Sequence, residues 1–112
     1  MAESHLPHHR LHAYTKATEL LALVKSAHIR DTYLRDHALR AAKTACLNLA
    51  EGAGRITPRD KARSYAIARA EASEACAAVE IAAVAGDTSP EIAARIVEVG
   101  AHLVAMLTRL AR

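Results

Sequence analysis

The sequence predicts an all-α fold, an antiparallel up-down-up-down four-helix bundle, and three observations lead there. Alanine supplies 27 of the 112 residues, while Phe and Trp are absent and only three tyrosines are present. Alanine has the lowest helix cost of any residue, and strands need the β-branched and aromatic residues that are scarce here. Apolar residues also recur at helical spacing in four separate stretches. Finally, the stretches are separated by short segments carrying helix-start and helix-stop residues, and short connections favour antiparallel neighbours.

A chain of 112 residues is one domain's worth. Residues 1–10 are polar, rich in histidine and interrupted by Pro7, which predicts a disordered tail before a domain over residues 11–112. The first helix is expected over 11–28, with Tyr14, Ala17, Leu20, Leu21 and Val24 on its apolar side. Residues 28–32 break the pattern, and Asp31 or Thr32 is placed to cap the second helix. That helix is expected over 33–51. Leu34, Ala38, Ala42, Ala45, Cys46 and Leu49 gather on one half of its wheel, and Asp36, Arg40, Lys43, Asn48 and Glu51 on the other. Leu47 falls in the middle of that charged half, as a lone exposed leucine or as a contact between subunits.

Gly52-Ala53-Gly54 is expected to end the second helix, because glycine readily takes the left-handed conformation of a C-terminal cap. Thr57-Pro58-Arg59-Asp60 then starts the third helix. Thr57 suits the N-cap, Pro58 the first helical position and Asp60 the reciprocal position of a capping box. The third helix is expected over residues 58–85 and is apolar on two sides. Tyr65, Ala68, Ala72, Cys76, Val79 and Ala83 form one side; Ile67, Ala70, Ala77, Ala78 and Ile81 form the other, with Glu74 among them. A helix apolar on both sides is wedged between neighbours or presents one side to another subunit. Gly86 lies in the last turn and Ser89 caps the fourth helix before Pro90. Ile92, Ile96, Val99, Leu103, Met106, Leu107 and Leu110 give the fourth helix the cleanest amphipathic pattern of the set.

Charge and composition exclude several classes. Fifteen basic and twelve acidic residues give a formal +3, with an isoelectric point near 9.1. That is mildly basic, short of the excess of a dedicated nucleic-acid module. No apolar run approaches the roughly 18–20 residues of a membrane span, and the N-terminus lacks an apolar signal region. Cys46 and Cys76 make no disulfide framework, so reduced thiols in a cytoplasmic protein are expected. No cofactor motif or catalytic signature is present, and no enzyme is expected.

Four cations lie within nine residues: Arg55, Arg59, Lys61 and Arg63, opposed only by Asp60. A helix start with nearby arginines attracts anions, so this stretch is the candidate phosphate contact for RNA or DNA. The plain alternative is a solvated surface. No aromatic stands beside it, so sequence-specific stacking is not expected. Glu74, set in an apolar seam, needs a partner, and Arg40 and Arg69 are the candidates. His5, His8, His9 and His12 offer at most adventitious metal binding, with His8 and His12 one helical turn apart; no metal site is expected.

Leu39-Arg40-Ala41-Ala42, then Asn48-Leu49-Ala50-Glu51-Gly52-Ala53-Gly54-Arg55, then Ile67-Ala68-Arg69 and Glu74, together resemble the small four-helix-bundle proteins encoded by intervening sequences within bacterial 23S ribosomal RNA genes. The resemblance spans about residues 11–110. The chain departs from that pattern at Ala45-Cys46-Leu47, where proline is common, and at Ala70-Glu71, where Gly-Ser is common. The resemblance implies structural roles for the shared Asn48, Glu51 and Glu74, and it supplies no catalytic residue. The family is similar to accessory proteins of diversity-generating retroelements, ring-shaped pentamers that associate with a reverse transcriptase and nucleic acid. It therefore implies a cytoplasmic homopentamer working near RNA, DNA or a reverse transcriptase. The alternative is a structural protein–protein assembly module without a nucleic-acid role.

Overall fold

A computed structural model describes residues 5–112 and shows four α-helices with no strand among those residues. They are α1 (His12–Ser26), α2 (Thr32–Gly54), α3 (Pro58–Val84) and α4 (Pro90–Leu110). Of the tail expected over 1–10, residues 1–4 lie outside the described residues, and Pro7–Arg10 form a single 3-10 turn before α1. Leu11, in extended conformation, separates that turn from α1. His8 and His12 therefore do not share a helix, and the His8 ring instead meets those of His9 and Tyr14 at 4.4 and 4.5 Å between centroids. No helix among the described residues is long and apolar enough to cross a membrane.

The starts of α2, α3 and α4 are each explained by a cap. Asp31 accepts from the Leu34 amide at 2.9 Å, Thr57 from the Asp60 amide at 3.1 Å and Ser89 from the Ile92 amide at 3.3 Å. Satisfying an amide that the first turn leaves orphaned contributes about 1 kcal/mol per cap. Only the Thr57 half of the expected capping box forms.

α2 packs along α3 and α3 along α4, while α1 packs against α2 and α4 and scarcely meets α3. One core fills the space between them, built largely of alanines that let the backbones approach. Leu20, Leu49, Val79, Ile96, Leu103 and Leu107 are its fully buried large side chains, joined by Ile29 from the α1–α2 connection. His28 takes a left-handed φ of 47° at the end of α1, and the chain turns there so that Ile29 enters the core. This connection is stitched to the one between α3 and α4. The Arg30 amide donates to the Asp87 carbonyl at 3.0 Å, Thr88 Oγ1 donates to the Ala27 carbonyl at 2.9 Å, and the Arg30 guanidinium donates to the Gly86 carbonyl.

The two glycine segments behave differently. α3 ends as expected near Gly86, at φ 79°, with the Gly86 amide on the Ala83 carbonyl and the Asp87 amide on the Ala82 carbonyl, the paired bonds of a Schellman ending. The left-handed ending expected at Gly52-Ala53-Gly54 is not there. α2 runs through both glycines and stops at Arg55, whose φ is −70°. Gly52 is needed for closeness: a Cβ there would lie 2.8 Å from Tyr65 Cε1 and 3.1 Å from Ser64 Cβ. Gly100 does the same between α3 and α4, where an added Cβ would overlap Cys76 Sγ.

Candidate functional site

The end of α2 and the start of α3 are joined by three residues, Arg55-Ile56-Thr57. Because Gly52 lets Tyr65 and Ser64 lie against the last turn of α2, this junction is held closely and its side chains fan outward around a cleft. The cleft encloses about 330 Å³ and is lined by Glu51, Arg55, Asp60, Arg63, Ser64 and Ile67.

The four cations expected to act together are split by the fold. Lys61 turns inward: its Nζ donates to the carbonyls of Ala53 at 2.8 Å and Gly52 at 3.4 Å. There it satisfies orphaned carbonyls and sits at the negative end of the α2 dipole, which removes it from the surface patch. Arg55 Nη2 donates to Glu51 Oε1 at 2.6 Å, both side chains being about half exposed (50% and 48%). Such a pair contributes well under about 1 kcal/mol and is readily exchanged for another anion. Arg59 and Arg63, four residues apart and hence on one face, are exposed and hydrogen-bond to no described residue. Cations in the first turns oppose the dipole of α3 by a few tenths of a kcal/mol each, so these two are not placed there by helix stability.

The other candidates lie elsewhere. Asn48 is half-buried and its Nδ2 donates to the Thr44 carbonyl one turn back at 3.0 Å. Leu47 is 70% exposed on the outer face of α2. Glu74 does not pair with Arg40 or Arg69. Its partner is His37 on α2, with Nε2 to Oε1 at 2.8 Å, while Arg69 Nε donates to Thr108 Oγ1 on α4 at 2.8 Å. Both histidine and arginine reach across helices here, His37 from α2 to α3 and Arg69 from α3 to α4. Beside this pair, Glu71 has its carboxyl pushed above the usual range, by burial first and then by the Glu74 carboxylate.

Burial pushes both thiols up, that of Cys76 to about 11; a thiol that holds its proton is a poor nucleophile and a poor metal ligand. Among the described residues no three of His, Cys, Asp and Glu gather as a metal site requires. The arrangement at the α2–α3 junction can hold an anion through guanidinium groups.

A search of curated proteins gives no match to the chain. The chain does match the 23S rRNA-intervening sequence protein family over residues 9–109. With nearly the whole chain matched and four helices in the expected order, the protein belongs to the 23S rRNA-intervening sequence protein family.

Proposed function

We propose that the protein is a non-enzymatic subunit of a cytoplasmic homo-oligomer, an up-down-up-down antiparallel bundle that binds the backbone of RNA or DNA. The contact is made by Arg59 and Arg63, with Arg55 joining when phosphate displaces Glu51. One observation carries the reading: Arg59 and Arg63 stand one turn apart on an exposed face, and no carboxylate among the described residues binds either, while Lys61 is consumed by the end of α2. Guanidinium groups match phosphate oxygens in a fork, and backbone contacts of this kind carry no sequence information. Two contacts per subunit are weak alone. Repeated around an oligomer, a ring of five in the form the family resemblance implies, they gain by multivalency. A nucleic-acid enzyme such as a reverse transcriptase fits the same reading as the partner that shares the bound strand.

Binding of labelled single-stranded RNA and DNA at two salt concentrations tests it. On a single strand each pair of phosphate contacts predicts about a sevenfold loss of affinity between ~50 and ~200 mM salt. Changing Arg59 and Arg63 together to Ala is expected to abolish the salt-dependent binding. Lys61→Ala is expected to lower stability and leave affinity intact. Binding untouched by the double change overturns the proposal. A second reading, a pure protein–protein module, is favoured by the exposed Leu47 and by Ile56 at 92% exposure; absence of nucleic-acid binding at low salt selects it.

A further inference from the structure

The start of α1 and the end of α4 leave between them a groove of about 280 Å³, close to the lower bound of the roughly 300–1,000 Å³ of small-molecule sites. Its floor is apolar. Leu11, Met106 and Leu110 line it, each half-buried against the core. Arg10 and Arg109 flank that floor, both exposed, with His12 beside them. Neither arginine side chain is bonded to a described residue, and no carboxylate among those residues lines the groove. One turn further along the same two helices the surface changes character. Lys16, Glu19, Arg95, Glu98 and His102 line a second groove there, with Lys16 and Glu19 paired at 3.2 Å. The apolar stretch therefore runs from Arg109 to His102, about 10 Å of helix at 1.5 Å per residue.

We propose that this groove binds a medium-chain fatty carboxylate. Arg10 and Arg109 hold the carboxylate, and the hydrocarbon lies on Leu11, Met106 and Leu110. Charge selects the head group: a guanidinium fork matches a carboxylate, and two unpaired cations turn a cationic amphiphile away. The start of α1 and the end of α4 meet here, so their opposite poles offset each other and the side chains set the sign. The floor selects the rest of the ligand. A polyanion needs only the cations and gains nothing from three apolar side chains, whereas each methylene laid on them leaves water. Length is limited by the neighbouring groove. A tail longer than the apolar stretch passes over Glu19 and Glu98 and finds no further apolar surface. The groove shares no lining residue with the α2–α3 cleft, and the proposal does not rest on nucleic-acid binding.

Titration of the full chain with hexanoate, octanoate and dodecanoate, followed by amide NMR, tests it. Octanoate is expected to shift the amides of Leu11, Met106 and Leu110. It should bind roughly fifteenfold more tightly than hexanoate, at about fourfold for each of two methylenes. Dodecanoate is expected to bring no comparable gain over octanoate. Octanol, with the same tail and no charge, should bind more weakly than octanoate. The exposed pair Arg10→Gln with Arg109→Gln is expected to reduce octanoate to the affinity of octanol. Met106→Glu, which places a carboxylate in the floor, should abolish binding while circular dichroism keeps its helical signal. No shifts at millimolar octanoate, shifts centred elsewhere, octanol bound as tightly as octanoate, or an affinity indifferent to the arginines overturns the proposal. A groove already covered by a second copy of the chain shows no octanoate shifts and a mass above 12.0 kDa that Met106→Glu lowers, which overturns it as well.

Discussion

The junctions α2–α3 and α3–α4 are written with the same residues and built on different physics. Each has glycine, then a hydroxyl residue directly before proline: Gly52 and Gly54 before Thr57-Pro58, and Gly86 before Ser89-Pro90. After the proline the two agree, since both hydroxyls cap their helix. Before it they part. Gly86 is used for its backbone, taking a φ of 79° that ends α3. Gly52 is used for its missing side chain, because Tyr65 occupies the place of a Cβ. The end of α2 is then finished by Lys61 reaching back to its last carbonyls. A glycine's role is thus set by what lies opposite it, and the letters beside it do not reveal that.

Three substitutions break this comparison or sharpen it, measured by chemical denaturation. Gly52→Val is expected to cost most, about 3 kcal/mol, as the new side chain meets the Tyr65 ring in a packed interface. Combined with Tyr65→Leu its cost should be smaller than the sum of the two alone, and strict additivity removes the packing account. Gly86→Ala is expected to cost about 1 kcal/mol, the penalty of a left-handed φ for a residue with a Cβ. Gly54→Ala decides the sign. Within the last turn of a helix and with open space around it, alanine there should stabilise by about 0.5 kcal/mol. A loss at that position restores the left-handed ending that the sequence suggests and the structure lacks.

Most of the fold was legible because its signals are local. Alanine content, helical spacing and the caps at Asp31, Thr57 and Ser89 depend on residues within one turn of each other. The apolar sides read from α1, α2 and α4 became core at Ala17, Leu20, Val24, Ala38, Ala42, Leu49, Ile96, Leu103 and Leu107. Ile29 escaped notice because it lies in a connection with no periodicity, and only the left-handed turn at His28 sends it inward. The candidate site was legible as a cluster of cations and illegible as a surface. Arg55, Arg59, Lys61 and Arg63 are alike on paper, yet Arg59 and Arg63 share one side of α3 while Lys61 points to the opposite side, where α2 ends. The same limit applies to Glu74, whose partner lies thirty-seven residues away on another helix.

By itself, then, the sequence determined four helices, their starts, the family signature at the α2–α3 junction and the two-sided character of α3. Each arises from neighbours along one chain, where spacing fixes direction. The tertiary structure alone decided which cations remain on the surface, which glycine is a stop and which a contact, and which side of α3 faces outward. Those depend on what another helix places within about 4 Å, and no pattern along a single helix records its neighbour.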